Sequence, residues 1–554
     1  MSRPRSPRLF LSLALLAAPF SALARAQGPG FPPPPVPPEN QITAAKTNLG
    51  KTLFWDEQLS ASGTVACATC HAMEFGGGDP RTAGAVHPGP DASFGTPDDI
   101  RGSRGIIGTA TDLSYVTTAL FDLREQVTSR KALPVINAAY NGLQMWDGRA
   151  TGRFVDPVTN TVAIQNGGSL ESQASGPPLN TTEMAHAGTT WSELAAKVRE
   201  ARPLALATNL PATLDAWIAG RGYPQLFQEA FGDNNVTARR ILFAIATYER
   251  TLVSNQAPID AFRQGNPAAL TPNQQRGLQV FNGLGPRCNT CHNEPLFAGP
   301  GFFHLGVRPI NEDLGRGAIT GQPQDNGRFK VPSLRNVGLR APYFHNGGKA
   351  TLEEVVDFYS RGGDFRSPQV NIQPFPLNAQ DRNALVDFLR NGLSDPRVAQ
   401  GQAPFDHPTL FTRSNRAPRL YGTGTAGSGG RVPRLVALEP PILGNPNFTV
   451  ALEQGLGGAP AFFLFDMASD PLGLQTLLGA RLWLGFTVAL TALEIGGLQG
   501  SGNGNGWRSV AFAIPNDALL DGAAFFAQGF AIDPGAPQGL SATGGLEVRF
   551  FAGR

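Results

Sequence analysis

"VACATCH", residues 65–71, and "RCNTCHN", residues 287–293, together use all four cysteines of this 554-residue chain. Two thiols three positions apart, followed at once by a histidine, match one porphyrin. Cys67 and Cys70 would form thioethers with its two vinyl groups while His71 presents an imidazole to the iron. Cys288, Cys291 and His292 repeat the device. Two disulfides are the general alternative for four cysteines in an exported chain, but the spacing argues against them. A redox Cys-x-x-Cys needs no following histidine, and zinc needs more ligands nearby. The spacing therefore predicts two covalently bound c-type haems.

The chain opens "MSRPRSPRLFLSLALLAAPFSALARAQ", with early arginines, an apolar run from Leu9 to Phe20, and the small-x-small sequence Ala24-Arg25-Ala26. That is the pattern of a secretory signal peptide over residues 1–26, and the apolar run is shorter than the roughly 20 residues of a spanning helix. Its removal takes four of the 45 basic residues and no acid, leaving 41 against 43. A near-neutral mature chain offers no electrostatic case for nucleic acid or a membrane surface as partner. Haem attachment after export agrees with the leader, and a periplasmic or otherwise exported location follows.

Helical periodicity surrounds each motif. "ITAAKTNLGKTLFWDEQLS" (42–60) leads to the first, and "NQQRGLQVFNG" (273–283) leads to the second, with Thr271 as N-cap and Pro272 at the first helical position. Between them lie two longer helical patterns, 211–231 and 237–255. The fold expected is mainly α: two cytochrome c-like haem domains, residues 41–235 and 236–400. A proline-rich spacer (27–40) precedes them and a linker (401–415) follows. After about residue 415 there is no Lys, His or Cys, and short apolar runs alternate with Gly, Pro, Asn and Asp. Residues 416–554 should be a small all-β, sandwich-like accessory domain for docking, anchoring or secretion, with "GGLQGSGNGNGW" (496–507) as a surface loop. The Gly/Asp/Pro-rich stretch 76–108 is either an access channel, a partner surface or an insertion without function.

Each haem iron has one histidine, so the chemistry depends on its other side. The methionines are Met1, Met73, Met145, Met184 and Met467, and none falls in the second haem domain. That domain offers His304, His345, Tyr343 and Tyr359 instead. The free histidines near the first haem are His87 and His186, each in a context more typical of a surface residue. The first iron is therefore expected to be open.

The stretches "KTLFWDEQLSASGTVACATCH", "MWDGRA", "SQASGPPLNTTEMAH", "RCNTCH", "FKVPSLRNVGLRAPYFHNGGKATLEEVVDFY" and "NAQDRNALVDFLRNGL" occur in order over residues 40–395. Together they resemble the bacterial dihaem cytochrome c peroxidase family, including its MauG-like branch. The resemblance implies a peroxidatic first haem and an electron-transfer second haem, with Trp146 placed between them. It assigns Gln173 and Glu183 to the peroxide pocket, shaped by Pro177, with Glu183 as acid/base.

Three departures from the family pattern stand out. Conventional members carry an axial methionine fourteen residues after the histidine of "YFH"; here His345 is followed at that distance by Tyr359, the position of the axial tyrosine in MauG-like proteins. An anionic oxygen ligand there favours ferric iron and lowers the potential. Residues 88–145 hold no histidine and thus lack the loop that blocks the first iron in resting conventional members. The inter-haem calcium position meets Lys131, leaving Pro342 to offer a carbonyl.

The primary expectation is an exported dihaem peroxidase that takes hydrogen peroxide, and electrons from a small c-type cytochrome or cupredoxin. The alternatives are a MauG-like oxidase acting on aromatic residues of a partner protein or on an organic substrate, and a pure electron-transfer protein in which His87 or His186 ligates the first haem. Oligomeric state is left open, with a homodimer among the choices.

Overall fold

The computed structural model describes residues 31–283 and 285–554; the expected signal peptide lies outside them. The longer helices are α1 (Ala44–Phe54), α2 (Trp191–Glu200), α3 (Ala212–Ile218), α4 (Tyr223–Phe231), α5 (Ala238–Glu249), α6 (Pro272–Asn282), α7 (Leu352–Ser360) and α8 (Ala379–Asp387). Among the described residues none is long and apolar enough to cross a membrane.

α1 begins where the Thr43 hydroxyl accepts from the Lys46 amide, satisfying one of the donors that a helix start leaves unpaired. It buries Leu49, Leu53 and Phe54 in a core shared with Ile241, Leu242 and Ile245 of α5. The two backbones meet at Gly50, where a Cβ would stand 1.9 Å from the Ala244 carbonyl oxygen. α6 repeats the arrangement. The Thr271 hydroxyl accepts from the Gln274 amide and the Gln274 side chain accepts from the Thr271 amide. Gly277 then meets α8 where a Cβ would stand 2.1 Å from the Ala384 carbonyl oxygen. Phe281, Leu385 and Phe388 fill this second core.

Packing departs from the sequence boundaries in three places. α5, expected in the second haem domain, belongs wholly to the first core, which runs on to Leu252, while the second begins at Ala257. Residues 31–40 lie against the body of the protein: Phe31 meets the Tyr140 ring edge-on at 5.4 Å, the Tyr140 hydroxyl donates to the Pro32 carbonyl, and Asn40 donates to Glu171. The segment expected as a linker, 401–415, is packed too, with Phe405 and Leu410 in the first core. The long pattern at 211–231 breaks into α3 and α4 because Ala219 and Gly220 take left-handed φ values of 47° and 70°, which no helix continues through.

Glu171 also forms a fully buried two-pronged pair with Arg250 at 2.8 and 2.9 Å. The pair ties the C-terminal end of α5 to the helical turn Ser169–Ala174, the segment that carries Gln173.

Beyond residue 415 the chain is sheet-rich. β1 (Arg419–Tyr421), β2 (Arg434–Val436), β3 (Phe448–Leu456), β4 (Pro460–Asp466), β5 (Ser469–Gln475), β6 (Arg481–Leu484), β7 (Thr491–Gly497), β8 (Asn503–Phe512), β9 (Ala524–Ile532) and β10 (Leu540–Arg549) follow in order. They form a five-stranded sheet β7-β4-β9-β10-β1, a three-stranded sheet β8-β3-β2 and the hairpin β6-β5. Inward residues of the two larger sheets, among them Val450, Leu452, Phe463, Ala527 and Val548, share one core. The expected surface loop at 496–507 is only half loop, since β8 starts at Asn503 and pairs with β3.

Replacing Gly50 with Ala should force α1 and α5 apart. A loss of about 1–3 kcal/mol is expected in denaturant unfolding, whereas an unchanged midpoint would mean that the crossing is looser than the backbone spacing implies.

Candidate active site

Cys67–Cys70 form a single helical turn, set by the Thr69 hydroxyl, which accepts from the Ala66 amide at 2.8 Å. His71 closes the turn. Its Nδ1–H donates to the Gly77 carbonyl at 3.3 Å, leaving the Nε2 lone pair for a metal. All four cysteines are free thiols, so the disulfide alternative does not describe this chain. Burial pushes the Cys67 and Cys288 thiols up to about 12 and holds them protonated. The second motif matches the first: His292 Nδ1–H donates to the Phe297 carbonyl at 3.1 Å, and burial pulls its pKa down to about 4, so the imidazole stays neutral.

Each motif opens into a cavity. The first, about 640 Å³, is lined by Cys67, Cys70 and His71; the second, about 710 Å³, by Cys288, Cys291 and His292. Both volumes lie within the roughly 300–1,000 Å³ of cofactor and ligand sites. Two neutral thiols and one oriented imidazole at the wall of such a space are a donor set that fits haem.

Gln173, Pro177 and Glu183 all line the first cavity. Glu183 sits in a turn, not at a helix start: the Asn180 side chain accepts from the Thr182 and Glu183 amides, and the Asn180 carbonyl accepts from Met184 and Ala185. Burial raises the Glu183 pKa, and Arg149 opposes the shift. No hydrogen bond joins Gln173 to Glu183. Their polar ends have no hydrogen-bond partner among the described residues, so each is available to a ligand in the cavity. Glu249, which the sequence reading passed over as part of α5, lines the same wall; its Oε2 is buried without a partner, and burial raises its pKa to about 8. Nothing in its spacing marks it, because a helical carboxylate is ordinarily solvated.

The two histidines weighed for the first iron separate. His186 is absent from the cavity wall, whereas His87 lines it. The Gly89 amide donates to His87 Nδ1 at 3.1 Å, which places the ring proton on Nε2 and leaves no lone pair for a metal.

His304, Tyr343, His345 and Tyr359 all line the second cavity, yet their polar atoms differ. Tyr343 donates to the Val337 carbonyl at 3.2 Å, and His304 Nδ1 to Gly327 at 3.1 Å. His345 is stacked on Phe329 at 3.6 Å. Tyr359, on α7, has no hydroxyl partner among the described residues. Burial and the nearby Cys288 and Cys291 raise its pKa well above the ordinary value, favouring the neutral phenol.

Trp146 and Lys131 line both cavities. The Trp146 indole donates to the Lys131 carbonyl at 2.7 Å, its own carbonyl accepts from Lys330 at 2.8 Å, and its ring meets His345 edge-on at 6.2 Å. The Lys131 amide donates to the His345 carbonyl at 2.7 Å. Its ammonium donates to the carbonyls of Arg340 and Pro342 at 2.5 and 2.6 Å, the latter being the carbonyl the resemblance offered to calcium. Arg130 completes the joint, pairing with Asp147 of the first half and Asp313 of the second. Lys131→Met should leave two buried carbonyls unpaired. A loss of about 1–3 kcal/mol for each is expected in unfolding, and a neutral outcome would show that water replaces the ammonium without penalty.

Comparison with known proteins shows the family. The family model described as di-haem cytochrome c peroxidase matches residues 44–268. Cytochrome c551 peroxidase of Nitrosomonas europaea is 31% identical over 415 residues, 74% of this chain and 96% of that protein. Methylamine utilization protein MauG of Methylorubrum extorquens is 31% identical over 366 residues, 65% of this chain and 82% of that one. The crystal structure of a MauG-like protein associated with microbial copper homeostasis superposes with a TM-score of 0.47 at 26% identity, covering 68% of this chain and 96% of that one. The chain belongs to the dihaem cytochrome c peroxidase and MauG family, whose members are peroxidase-type oxidoreductases carrying two haems.

Proposed function

We propose that this chain is an exported peroxidase with two covalently attached c-type haems, one on each Cys-x-x-Cys-His motif, that reduces hydrogen peroxide to water. Two electrons per peroxide come one at a time from a small c-type cytochrome or cupredoxin. The observation that carries this reading is the first cavity: an oriented His71, and Glu183 and Gln173 with unpaired polar ends on the same wall. When bound there, haem supplies an iron that holds peroxide and receives electrons.

The chain's own residues supply the proton chemistry. Glu183, desolvated enough to hold a proton above the ordinary carboxylate range, takes the proton of the near peroxide oxygen and delivers it to the far one as the O–O bond breaks. Gln173 contributes an amide to orient the substrate. His87, with its proton on Nε2, can donate a hydrogen bond but not a lone pair, which disfavours a pure electron-transfer protein with two six-coordinate irons. Trp146, fixed at both its indole and its carbonyl, bridges the two cavities. In place of the family's calcium we assign the Lys131 ammonium, which already holds the carbonyls a cation would need.

A second reading, an oxidase of the MauG type, is favoured by one observation. Tyr359 offers an unpartnered phenol oxygen to the second cavity; as a phenolate it would ligate haem iron and depress its potential.

Glu183→Gln should lower peroxide turnover on the order of a hundredfold or more. Burial raises the Glu183 pKa above its ordinary 4.5, so the base form is lost as pH falls through that raised value. The rate of reaction with peroxide should climb with pH along a limb above pH 4.5, and the Gln variant should lack it; an unchanged profile removes the assignment. Tyr359→Met should raise the potential of the second haem in a spectroelectrochemical titration. If that variant also lengthens or leaves untouched any oxidised intermediate formed by peroxide, the oxidase reading fails.

A further inference from the structure

The C-terminal β-sheet region packs against the half of the chain that carries the first motif. Its contacts with the rest of the chain are specific. Val436 of β2 and Ala451 of β3 pack with Ile107, Tyr115 and Leu123 in one buried cluster, against which Trp507 of β8 also rests. Tyr115 is 1% exposed. Its hydroxyl accepts from the Leu438 amide at 3.4 Å, and its carbonyl accepts from the Ser509 hydroxyl at 3.1 Å.

Those three partners belong to the stretch 105–128, which returns on itself through Val116 to Gly108 and Gln126 to Ile106 backbone hydrogen bonds. The opposite side of that stretch is cavity wall: Thr118, Leu120, Phe121, Gln126 and Val127 line the first cavity. It also grips the turn that carries Glu183. The Ile106 amide donates to the Thr182 carbonyl at 3.2 Å, and the Gln126 side chain donates to the Thr181 carbonyl at 2.7 Å. Gly105 lies so close that a Cβ there would stand 1.8 Å from the Thr182 carbonyl oxygen.

The geometry points to the β-sheet region as the outer support of one wall of the first cavity: it clamps residues 105–128 from outside and thereby positions Glu183. Tyr115 is then a positioning residue, acting through Ile106 and Gln126 and touching no substrate. An accessory joined only for docking elsewhere would not bury a tyrosine and four aliphatic side chains at the back of an active-site wall. The clamp also explains why this wall needs few regular elements of its own. A segment held by isolated bridges and turns keeps its shape only when its apolar side chains have a rigid surface to pack on. The catalytic consequence rests on the role proposed for Glu183.

The test uses the full-length, haem-loaded protein with Tyr115→Ala and, from the β side, the milder Val436→Ala. Amide hydrogen exchange should rise on the order of tenfold at Ile106, Val116, Gln126, Glu183 and Met184. Amides of α6 and α8 around the second cavity should keep their protection. The second-order rate with peroxide should fall about tenfold without a change in the potential of the second haem. Unchanged exchange at Glu183 and Met184 in both variants overturns the clamp. Raised exchange with an unchanged rate overturns its catalytic role, provided that Glu183→Gln itself slows the reaction. If Glu183→Gln does not, the proton-transfer reading has failed, and the exchange data still judge the clamp alone. If Tyr115→Ala does not fold, Val436→Ala decides.

Discussion

The ammonium of Lys131 is the joint on which the two halves meet. A buried cation without partners would cost several kcal/mol, and here two carbonyls of the second half surround it. The same residue uses its amide on His345 and its carbonyl on Trp146. One side chain and the two peptide units flanking it thereby set the spacing between the cavities and the orientation of the indole between them. Burial and the nearby Arg340 guanidinium pull the Lys131 pKa down to about 7, against the pull of Asp79. Its amine takes the Pro342 carbonyl that the resemblance left for calcium.

Around this joint the two helical cores use the same solution. A capped helix leads to each Cys-x-x-Cys-His turn, and a glycine at its middle lets it press against a partner helix. Gly50 against α5 and Gly277 against α8 are equivalent in this sense. The close approach leaves each cavity bounded by rigid helices on one side and by turns on the other. Burial desolvates the His71 and His292 imidazoles and lowers their pKa values, which favours the neutral rings. The same desolvation acts in the opposite sense on Glu183 and Glu249, where it favours the protonated acid. One property of the cavities thus acts on the imidazoles and on the carboxyls alike.

Much of this was legible in the residues. Four cysteines in two Cys-x-x-Cys-His units leave little else to conclude, and the cap at Thr271 sits where local rules place it. The glycine-rich, lysine-free composition after residue 415 announced a sheet-rich region. Less legible were the boundaries. Helical periodicity could not say which core α5 joins, because its apolar face is compatible with either. Nor could it show that residues 31–40 and 401–415, with the composition of linkers, carry Phe31, Phe405 and Leu410 into contacts. Left-handed φ at Ala219 and Gly220 interrupted one helical pattern, because a single turn residue outweighs a favourable period on either side.

The sequence by itself determined the chemistry available: which thiols and imidazoles come together within one turn, that no methionine serves the second haem domain, and that a tyrosine stands at residue 359. These are local facts, settled by spacing along a few residues. Only the tertiary structure decided which polar groups are left without partners and therefore free to act. His87 loses its lone pair to an amide two residues on, and Tyr343 loses its hydroxyl to a carbonyl, whereas Tyr359 and Glu183 keep theirs. It also brought Tyr115 and Val436 together across more than three hundred residues of chain. Apolar burial drives such contacts without regard to direction, so no local pattern records which two surfaces meet.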